Sequence, residues 1–294
     1  MPIGIDWGGT SIKAAIVDGA NLRGFTRVDT DAKAGPAAVL DAIAALVRVL
    51  DPRTDAVGVA IPGEVRDDGR CWKLPNVPGF EDVNIGDELH ARLGVPVGVD
   101  NDAIAAALAE RLYGHGNSYK SFLLVTLGTG IGGGVVLDGN VRRGHGGFGG
   151  EIGHVMIDST DDAWPCGCGR RGCMEAYAGQ AGLLRRYAEA TGKPAPSRVK
   201  EVAQAGDAGT EAVWKQLGHA LGTGLASINN VLDLDAIVFT GGVAHSLPGF
   251  EPHIREALRA RAFAPPLAEL PFVTSKLGEH AGVIGAAHLP VAKG

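Results

Sequence analysis

The alternation of apolar and polar residues divides the chain into short strands and longer helices. An apolar run from Gly4 leads through a Gly-Gly-Thr turn into a second strand over Ile12–Val17, and Asp18–Asn21 is typical of a hairpin turn. Apolar positions at helical spacing predict a helix over Pro36–Leu50, with the proline in its first turn. The other elements predicted in this part are strands over 56–61 and 95–99 and helices over 83–93 and 101–113.

The same order of elements returns further along the chain. A strand over Ser121–Leu127 is followed by a glycine turn, Gly128–Gly134, and by a strand over Val135–Leu137. This weak repeat suggests two related lobes, with 1–114 and the closing helix 280–294 in one and 115–279 in the other. We further predict a long helix over 210–232, a buried strand over 236–239 and a helix over 280–289. Strands with helices between and after them indicate an α/β fold, in which ligands bind at the carboxyl ends of strands.

Composition and charge narrow the functional classes. The 294 residues are 45% hydrophobic and 20% charged, as in a globular protein with room for two domains. A net charge of −6 without a basic patch argues against a nucleic-acid partner. The sequence shows no signal peptide and no apolar run long enough to cross a bilayer. We therefore expect a cytoplasmic protein that binds no membrane.

The first candidate for chemistry is the segment Asp6-Trp7-Gly8-Gly9-Thr10 at the end of the first strand. Backbone N–H groups and the threonine hydroxyl there can bind phosphate, and Asp6 can hold Mg²⁺ directly or through water. Lys13 is close enough in sequence to add positive charge. The alternative is a tight hairpin that needs its glycines, and the segment alone leaves both interpretations open.

A second glycine-rich segment follows Leu127. Gly128, Gly130 and Gly133 have the spacing of a dinucleotide fingerprint, but that fingerprint requires a helix directly after it. Here the strand Val135–Leu137 follows instead. We therefore predict a second phosphate loop and no nicotinamide site.

Three cysteines crowd into eight residues and have a histidine upstream. Cys166, Cys168, Cys173 and His154 suit a tetrahedral Zn²⁺ site, and a Cys₃His set is closed, so the metal is structural. The alternative is three incidental thiols. Cys71 lacks such neighbours and is expected to be an ordinary buried thiol.

Acidic residues stand at two places where they could meet a substrate. Asn101 and Asp102 follow a predicted strand and start a helix, a position that favours helix caps but also one from which a carboxylate can reach a ligand. Glu151 and Glu175 flank the cysteine set, where both could accept hydrogen bonds from sugar hydroxyls. Taken singly, Asn101 and Asp102 are better explained as a helix cap, and Glu151 and Glu175 as solvated side chains.

Together these motifs resemble the ROK family of sugar kinases, repressors and uncharacterised open reading frames, over essentially the whole chain. The most specific part is Gly150–His154 followed by Cys166–Glu175. The other matching segments are Asp6–Thr10, Leu74–Gly79, Asn101–Ala103, Leu127–Gly130 and Thr240–Val243. Three features depart from the family pattern: Trp7 replaces an aliphatic residue, Ile104 replaces an asparagine, and the segment from His154 to Cys166 is long.

The resemblance implies a two-lobed, actin-like (ribonuclease H-like) ATPase fold that closes on a sugar and ATP, with Asp102 as catalytic base. It implies that His154 contacts the sugar and also binds zinc. The implied sugar-binding residues are Gly63, Asn76, Asn101, Asp102, Glu151, His154 and Glu175. The implied nucleotide- and phosphate-binding residues are Asp6, Gly8, Gly9, Thr10, Lys13, Gly128, Thr129, Gly130, Gly241 and Gly242, the last two beside the adenosine.

The segment Leu74–Phe80 resembles that of glucose-phosphorylating members, which favours transfer to the 6-hydroxyl of glucose. Mannose, fructose and N-acetylhexosamines remain alternative acceptors, and polyphosphate remains an alternative donor. A sugar-sensing repressor needs a DNA-binding domain before the first strand, where the phosphate segment already begins at Asp6. A zinc-stabilised binding protein without catalysis would require the placement of Asp6 and Asp102 to be accidental. The family also leads us to expect a homodimer.

Overall fold

The computed structural model describes residues 1–9, 11–29, 34–75 and 77–289. Its strands are β1 (Ile3–Trp7), β2 (Ser11–Asp18), β3 (Asn21–Asp29), β4 (Val57–Ile61), β5 (Glu64–Val65), β6 (Cys71–Lys73), β7 (Val97–Asn101), β8 (Phe122–Leu127), β9 (Ile131–Leu137), β10 (Asn140–Arg142), β11 (Ala236–Thr240) and β12 (Phe272–Thr274). Its α-helices are α1 (Pro36–Leu50), α2 (Ile85–Leu93), α3 (Asp102–Tyr113), α4 (Met174–Ala178), α5 (Gln180–Thr191), α6 (Val199–Ala205), α7 (Ala208–Leu232), α8 (Leu247–Arg259), α9 (Pro265–Ala268) and α10 (Ala281–Ala287). Among the described residues, no helix is both long enough and apolar enough to span a bilayer.

One compact unit consists of residues 1–120, 134–150 and 276–294. Its main sheet has the strand order β3-β2-β1-β4-β7, in which β1, β4 and β7 are parallel. The register pairs Asp6 with Ala60 and Ala60 with Asp100. The carboxyl ends of these three strands therefore meet at one edge of the sheet, as an open α/β sheet requires for ligand binding.

Helix α10 lies directly on this sheet because glycine lets the backbones approach. A Cβ on Gly58 of β4 would overlap the carbonyl oxygen of Ala286 in α10. Trp7 at the end of β1 is fully buried, and its ring meets that of Phe80 edge-to-face at 5.1 Å between centroids. The departure from the family pattern at Trp7 thus fills the core of this unit.

The second unit consists of residues 121–133 and 151–275. Its strands β8, β11 and β12 are parallel, and Thr240 at the end of β11 pairs with Thr126 near the end of β8. Helix α7, 25 residues long, packs against α5 and α8. A capping box starts α7, since the Asp207 side chain accepts a hydrogen bond from the backbone N–H of Thr210 at 3.1 Å.

Several predicted boundaries need correction. The predicted glycine turn over Gly128–Gly134 is shorter than expected, because β9 begins at Ile131 and only the first three residues form the turn. That β9 is a strand confirms that no helix follows the glycines. The predicted helix over 101–113 begins at Asp102, and the preceding strand runs on to Asn101. Residues 134–150 group with the first unit, whereas the sequence-based division placed them in the second lobe.

Candidate active site

In the first unit, the functional candidates lie where the parallel strands end. Asp6 is the penultimate residue of β1, and Gly63 follows β4 by two residues. Asn101 ends β7 and lies opposite Ile61 in the register. The structure therefore brings the predicted phosphate segment and the predicted catalytic segment to the same sheet edge.

The junction of β7 and α3 is held by the side chain of Asn101. Its Oδ1 accepts hydrogen bonds from the backbone N–H groups of Ala103 at 2.9 Å and Ile104 at 3.2 Å, which caps the helix. Its Nδ2 donates to the carbonyl oxygen of Gly63 at 3.2 Å. Asn101 is thus the cap, and Asp102 is the first residue of the helix, where a carboxylate is stabilised by the helix dipole.

Asp6 forms an ion pair with Lys13 across the β1–β2 hairpin. The Lys13 Nζ lies 3.3 Å from Asp6 Oδ2, and both side chains are less than one-fifth exposed. The turn between them is closed by a hydrogen bond from the Gly8 N–H to the Ser11 carbonyl oxygen at 2.9 Å. This is the tight hairpin that the sequence left as an alternative, and it does not exclude phosphate binding. The predicted phosphate ligand Thr10 lies outside the described residues.

In the second unit, the glycine turn after β8 is fastened by Glu175. The Oε2 of this side chain accepts a hydrogen bond from the backbone N–H of Ile131 at 2.9 Å. A Cβ on Gly130 would overlap the same oxygen, so a larger residue there would displace the Glu175 carboxylate from this hydrogen bond. The carbonyl oxygen of Thr129 accepts a hydrogen bond from the backbone N–H of Gln180 at 3.0 Å. The turn is therefore bound on two sides to the segment that follows the cysteines.

The glycines after β11 lie beside this turn. Gly241 has a φ of +92°, and a Cβ there would overlap the carbonyl oxygen of Leu127, the last residue of β8. Gly242 has no heavy atom within 4 Å of its would-be Cβ, so the backbone there faces open space. The predicted adenosine glycines and the predicted second phosphate loop thus share one edge of the β8–β11 sheet.

The four predicted zinc ligands come together. Their ligand atoms all lie within 4.8 Å of one another. Cys166 Sγ is 3.7 Å from His154 Nδ1, and Cys168 Sγ is 3.7 Å from Cys173 Sγ. A tetrahedron with Zn–S bonds of about 2.3 Å has edges of about 3.8 Å, so these two pairs already have the spacing of a Zn²⁺ site, and the whole set fits the ion with small side-chain adjustments. Cys71 is buried apart from this set in β6, and burial raises its pKa to about 11.

Two carboxylates and the histidine of the cluster are neighbours. His154 Nε2 lies 3.9 Å from Glu151 Oε2, while its Nδ1 points to Cys166. Burial, reinforced by the charge of Glu175, raises the pKa of Glu151 above its usual value. One ring nitrogen of His154 is thus available to a metal, and the other faces the acidic side where hydroxyl groups could bind.

The sequence did not single out Asp100 or Arg143. Asp100 is 3% exposed and stands directly before the predicted catalytic segment, and Arg143 Nε lies 2.7 Å from its Oδ2. The acid immediately precedes the motif Asn101–Ala103, and its place at the end of the apolar run 95–99 is the sequence signal that could have pointed to it. Gly63, predicted to contact the sugar, packs so tightly on Lys73 that a Cβ would overlap the Lys73 carbonyl oxygen. Asn76 lies outside the described residues.

The comparison with known proteins decides the family. The sequence profile of the ROK family matches residues 2–293. This chain belongs to the ROK family. A glucokinase from Halalkalibacterium halodurans is 33% identical over 311 residues, which cover 98% of this chain and 94% of that protein.

Solved structures of ROK kinases share the whole fold. A ROK family glucokinase from Streptomyces griseus, crystallised with glucose and AMPPNP, matches with a TM-score of 0.83 and 30% identity over 98% of both chains. A ROK hexokinase from Thermus thermophilus matches with a TM-score of 0.80 and 36% identity, covering 97% of this chain and 96% of that one. The predicted actin-like α/β fold is confirmed.

Proposed function

We propose that this chain is an ATP-dependent glucokinase that transfers the γ-phosphoryl group of ATP to the 6-hydroxyl of glucose. The observation that carries the proposal is the full-length match to a ROK glucokinase bound to glucose and AMPPNP. The chain also has its own chemistry at the expected places: a carboxylate at the start of α3 and glycine turns at the carboxyl ends of β1, β8 and β11.

The proposed base is Asp102. As the 6-hydroxyl oxygen bonds to the γ-phosphorus, its proton passes to the Asp102 carboxylate, and the bond from the γ-phosphorus to the bridging oxygen breaks to release ADP. Such a base contributes about 10²–10⁴-fold to the rate. Most of the remaining acceleration in phosphoryl transfer comes from positioning and charge neutralisation.

The sugar-binding roles are assigned by position in the family motifs. Asn101 has one amide hydrogen left after donating to Gly63, and the carboxylates of Glu151 and Glu175 can accept hydrogen bonds from hydroxyl groups. His154 would contact the sugar through Nε2, the nitrogen that faces Glu151. The complete proposed set is Gly63, Asn76, Asn101, Asp102, Glu151, His154 and Glu175.

The phosphate-binding roles are also proposals. Backbone N–H groups at Gly8–Thr10 and Gly128–Gly130 would bind phosphate oxygens, and Lys13 would add positive charge. Mg²⁺, held through Asp6, would neutralise charge on the transferred group. Gly241 and Gly242 would lie against the adenosine, where Gly242 leaves open space.

Zinc would be held by His154, Cys166, Cys168 and Cys173, in a closed set that leaves no position for substrate. When bound, the metal supplies a fixed orientation for the His154 ring and for the loop that carries it. The contact with the sugar is then made by His154 itself and not by the metal.

A coupled ADP-release assay tests the function. Mg-ATP is offered with glucose, mannose, fructose, N-acetylglucosamine and N-acetylmannosamine, and polyphosphate replaces ATP in a parallel series. We expect glucose with ATP to give the highest kcat/KM. A higher value for another hexose would correct the acceptor, and a higher value with polyphosphate would correct the donor. If no sugar stimulates ADP release in folded, zinc-loaded protein, the kinase assignment is wrong.

A further inference from the structure

An ion pair between a buried acid and a half-buried arginine lies directly beside the proposed catalytic segment. Asp100, next to last in β7, has a side chain that is 5% exposed, and Arg143 Nε lies 2.7 Å from its Oδ2. The N–H bond of Nε does not point at the oxygen, so the contact is an ion pair rather than an aligned hydrogen bond. An acid in this position needs a partner, because a carboxylate is rarely buried unless it is paired.

The environment of Asp100 depends on Arg143. Burial raises the pKa of Asp100, the Arg143 guanidinium lowers it, and the charge of Asp67 raises it further. A cavity of about 520 Å³ adjoins the pair. The other titratable groups that line this cavity are Arg66, Asp67, Asp68, Asp87 and His90. The cavity lining thus contains both acidic and basic groups, and Arg143 is the cation that contacts Asp100.

Asp100, which Arg143 holds in place, in turn holds the backbone of the next residue. Its Oδ1 accepts a hydrogen bond from the backbone N–H of Asn101 at 2.9 Å. Asn101 in turn caps α3, whose first residue is Asp102. The direction of the Asp102 side chain is thus set by a peptide unit that the Asp100 carboxylate fixes.

The contacts close into a ring. Arg143 Nη2 donates to the carbonyl oxygen of Val65 at 3.0 Å, two residues after Gly63. Gly63 is the residue whose carbonyl oxygen accepts from Asn101. The ring therefore runs from Arg143 through Asp100, Asn101, Gly63 and Val65 and back to Arg143. Such a closed network resists displacement of any one member more than a single contact does.

We propose that Arg143 is a positioning residue for phosphoryl transfer: by pairing with Asp100 and with the strand after Gly63, it fixes the segment that presents Asp102. The inference rests on the proposed function of Asp102 as base. Arg143 itself touches neither the sugar nor the nucleotide in this assignment. It acts through Asp100 and the backbone, while its Nη1 donates a further hydrogen bond to Asp67 Oδ1 at 3.3 Å.

The central variant is Arg143→Met, which keeps an unbranched apolar side chain in place of the aliphatic part of arginine and removes the charge. Without the guanidinium, the pKa of Asp100 should rise, because the carboxylate loses the adjacent opposite charge that lowers it. A protonated Asp100 accepts the hydrogen bond from the Asn101 N–H more weakly than the carboxylate does. We expect kcat to fall at least tenfold, the KM for ATP to change less than threefold, and the acid limb of the kcat profile to move to higher pH.

Three further variants separate positioning from folding. Arg142→Met removes the same charge from the neighbouring, exposed position and should leave kcat and the pH profile unchanged. Arg143→Lys restores a charge near Asp100 and should return the acid limb towards its original position. In Arg143→Met with Asp100→Asn, the amide cannot titrate, so the shift of the acid limb should disappear. Melting temperatures and circular dichroism are measured for every variant.

The outcomes are distinct. A kcat for Arg143→Met within twofold of the unchanged protein, with the same pH profile, overturns the inference while leaving the kinase assignment intact. A lower melting temperature with an unmoved acid limb also overturns it, since it shows a purely structural role. If the unchanged protein itself fails to release ADP with any sugar, the proposed function fails and this inference fails with it.

Discussion

Replacing Asp102 by asparagine should separate catalysis from folding and from sugar binding. The proposed base is lost, but the helix cap is not, because Asn101 supplies both capping hydrogen bonds. The first turn of α3 loses a favourable charge–dipole interaction of about 0.3–1 kcal/mol. The transition state loses about 10²–10⁴-fold in rate, which corresponds to about 3–5 kcal/mol. The effect on kcat should therefore exceed the effect on stability severalfold.

The assay measures kcat, the glucose dissociation constant and the unfolding free energy on the same preparations. Glu211→Gln is a matched control, since it neutralises a carboxylate in the first turn of another helix, α7, outside the proposed site. We expect Asp102→Asn to lose at least 100-fold in kcat and to bind glucose within about threefold of the unchanged protein. A kcat within tenfold of the original, or a loss of glucose affinity as large as the loss of rate, would refute the role of Asp102 as base.

Three further outcomes follow from the structure. Zinc removal by a chelator, or Cys173→Ser, should lower the unfolding free energy by about 4 kcal/mol or more. Metal analysis should find one zinc per chain in Cys71→Ala and less in Cys173→Ser. Equal zinc content in the two variants would contradict the site. Gly130→Ala should lower the melting temperature and raise the KM for ATP, because the added Cβ overlaps Glu175. Gly128→Ala should not lower the melting temperature, because no heavy atom lies within 4 Å of the added Cβ. Equal destabilisation by the two variants would contradict this steric argument. Light scattering should give twice the mass of the chain if the homodimer expected from the family forms, and a monomeric mass would exclude it.

The sequence predicted the parts of this protein whose signals are local. The Cys₃His set needed only residue types and spacing, and its four ligand atoms are indeed together. The strand over Val135–Leu137, which in the structure begins earlier at Ile131, was predicted from three apolar residues and the hairpin turn behind them. That prediction sufficed to reject a dinucleotide site. Features of this kind can be predicted from residue types and short-range periodicity, because strand or helix formation and turn formation depend on residues only a few positions apart.

Tertiary contacts explain what the sequence could not predict. Arg143 follows an ordinary edge strand, and nothing near it in sequence indicates that its guanidinium reaches Asp100. Residues 134–150 follow the predicted second glycine turn, so the repeat assigned them to the second lobe. The structure groups them with the first unit, where Gly134 packs against α3 so closely that a Cβ would overlap the Ala107 methyl group.

Glu175 gives a physical reason for a structural metal in a phosphoryl-transfer enzyme. Cys173, a zinc ligand in the proposed site, immediately precedes α4, and Glu175 is the second residue of that helix. The same carboxylate holds the Ile131 N–H, and the helix that follows holds Thr129 through Gln180. Fixing Cys173 thus fixes the start of α4, and through Glu175 it fixes the glycine turn proposed to bind phosphate. Zinc that touches no substrate would in this way influence ATP binding as well as the sugar contact of His154, and its removal should weaken both even in molecules that stay folded.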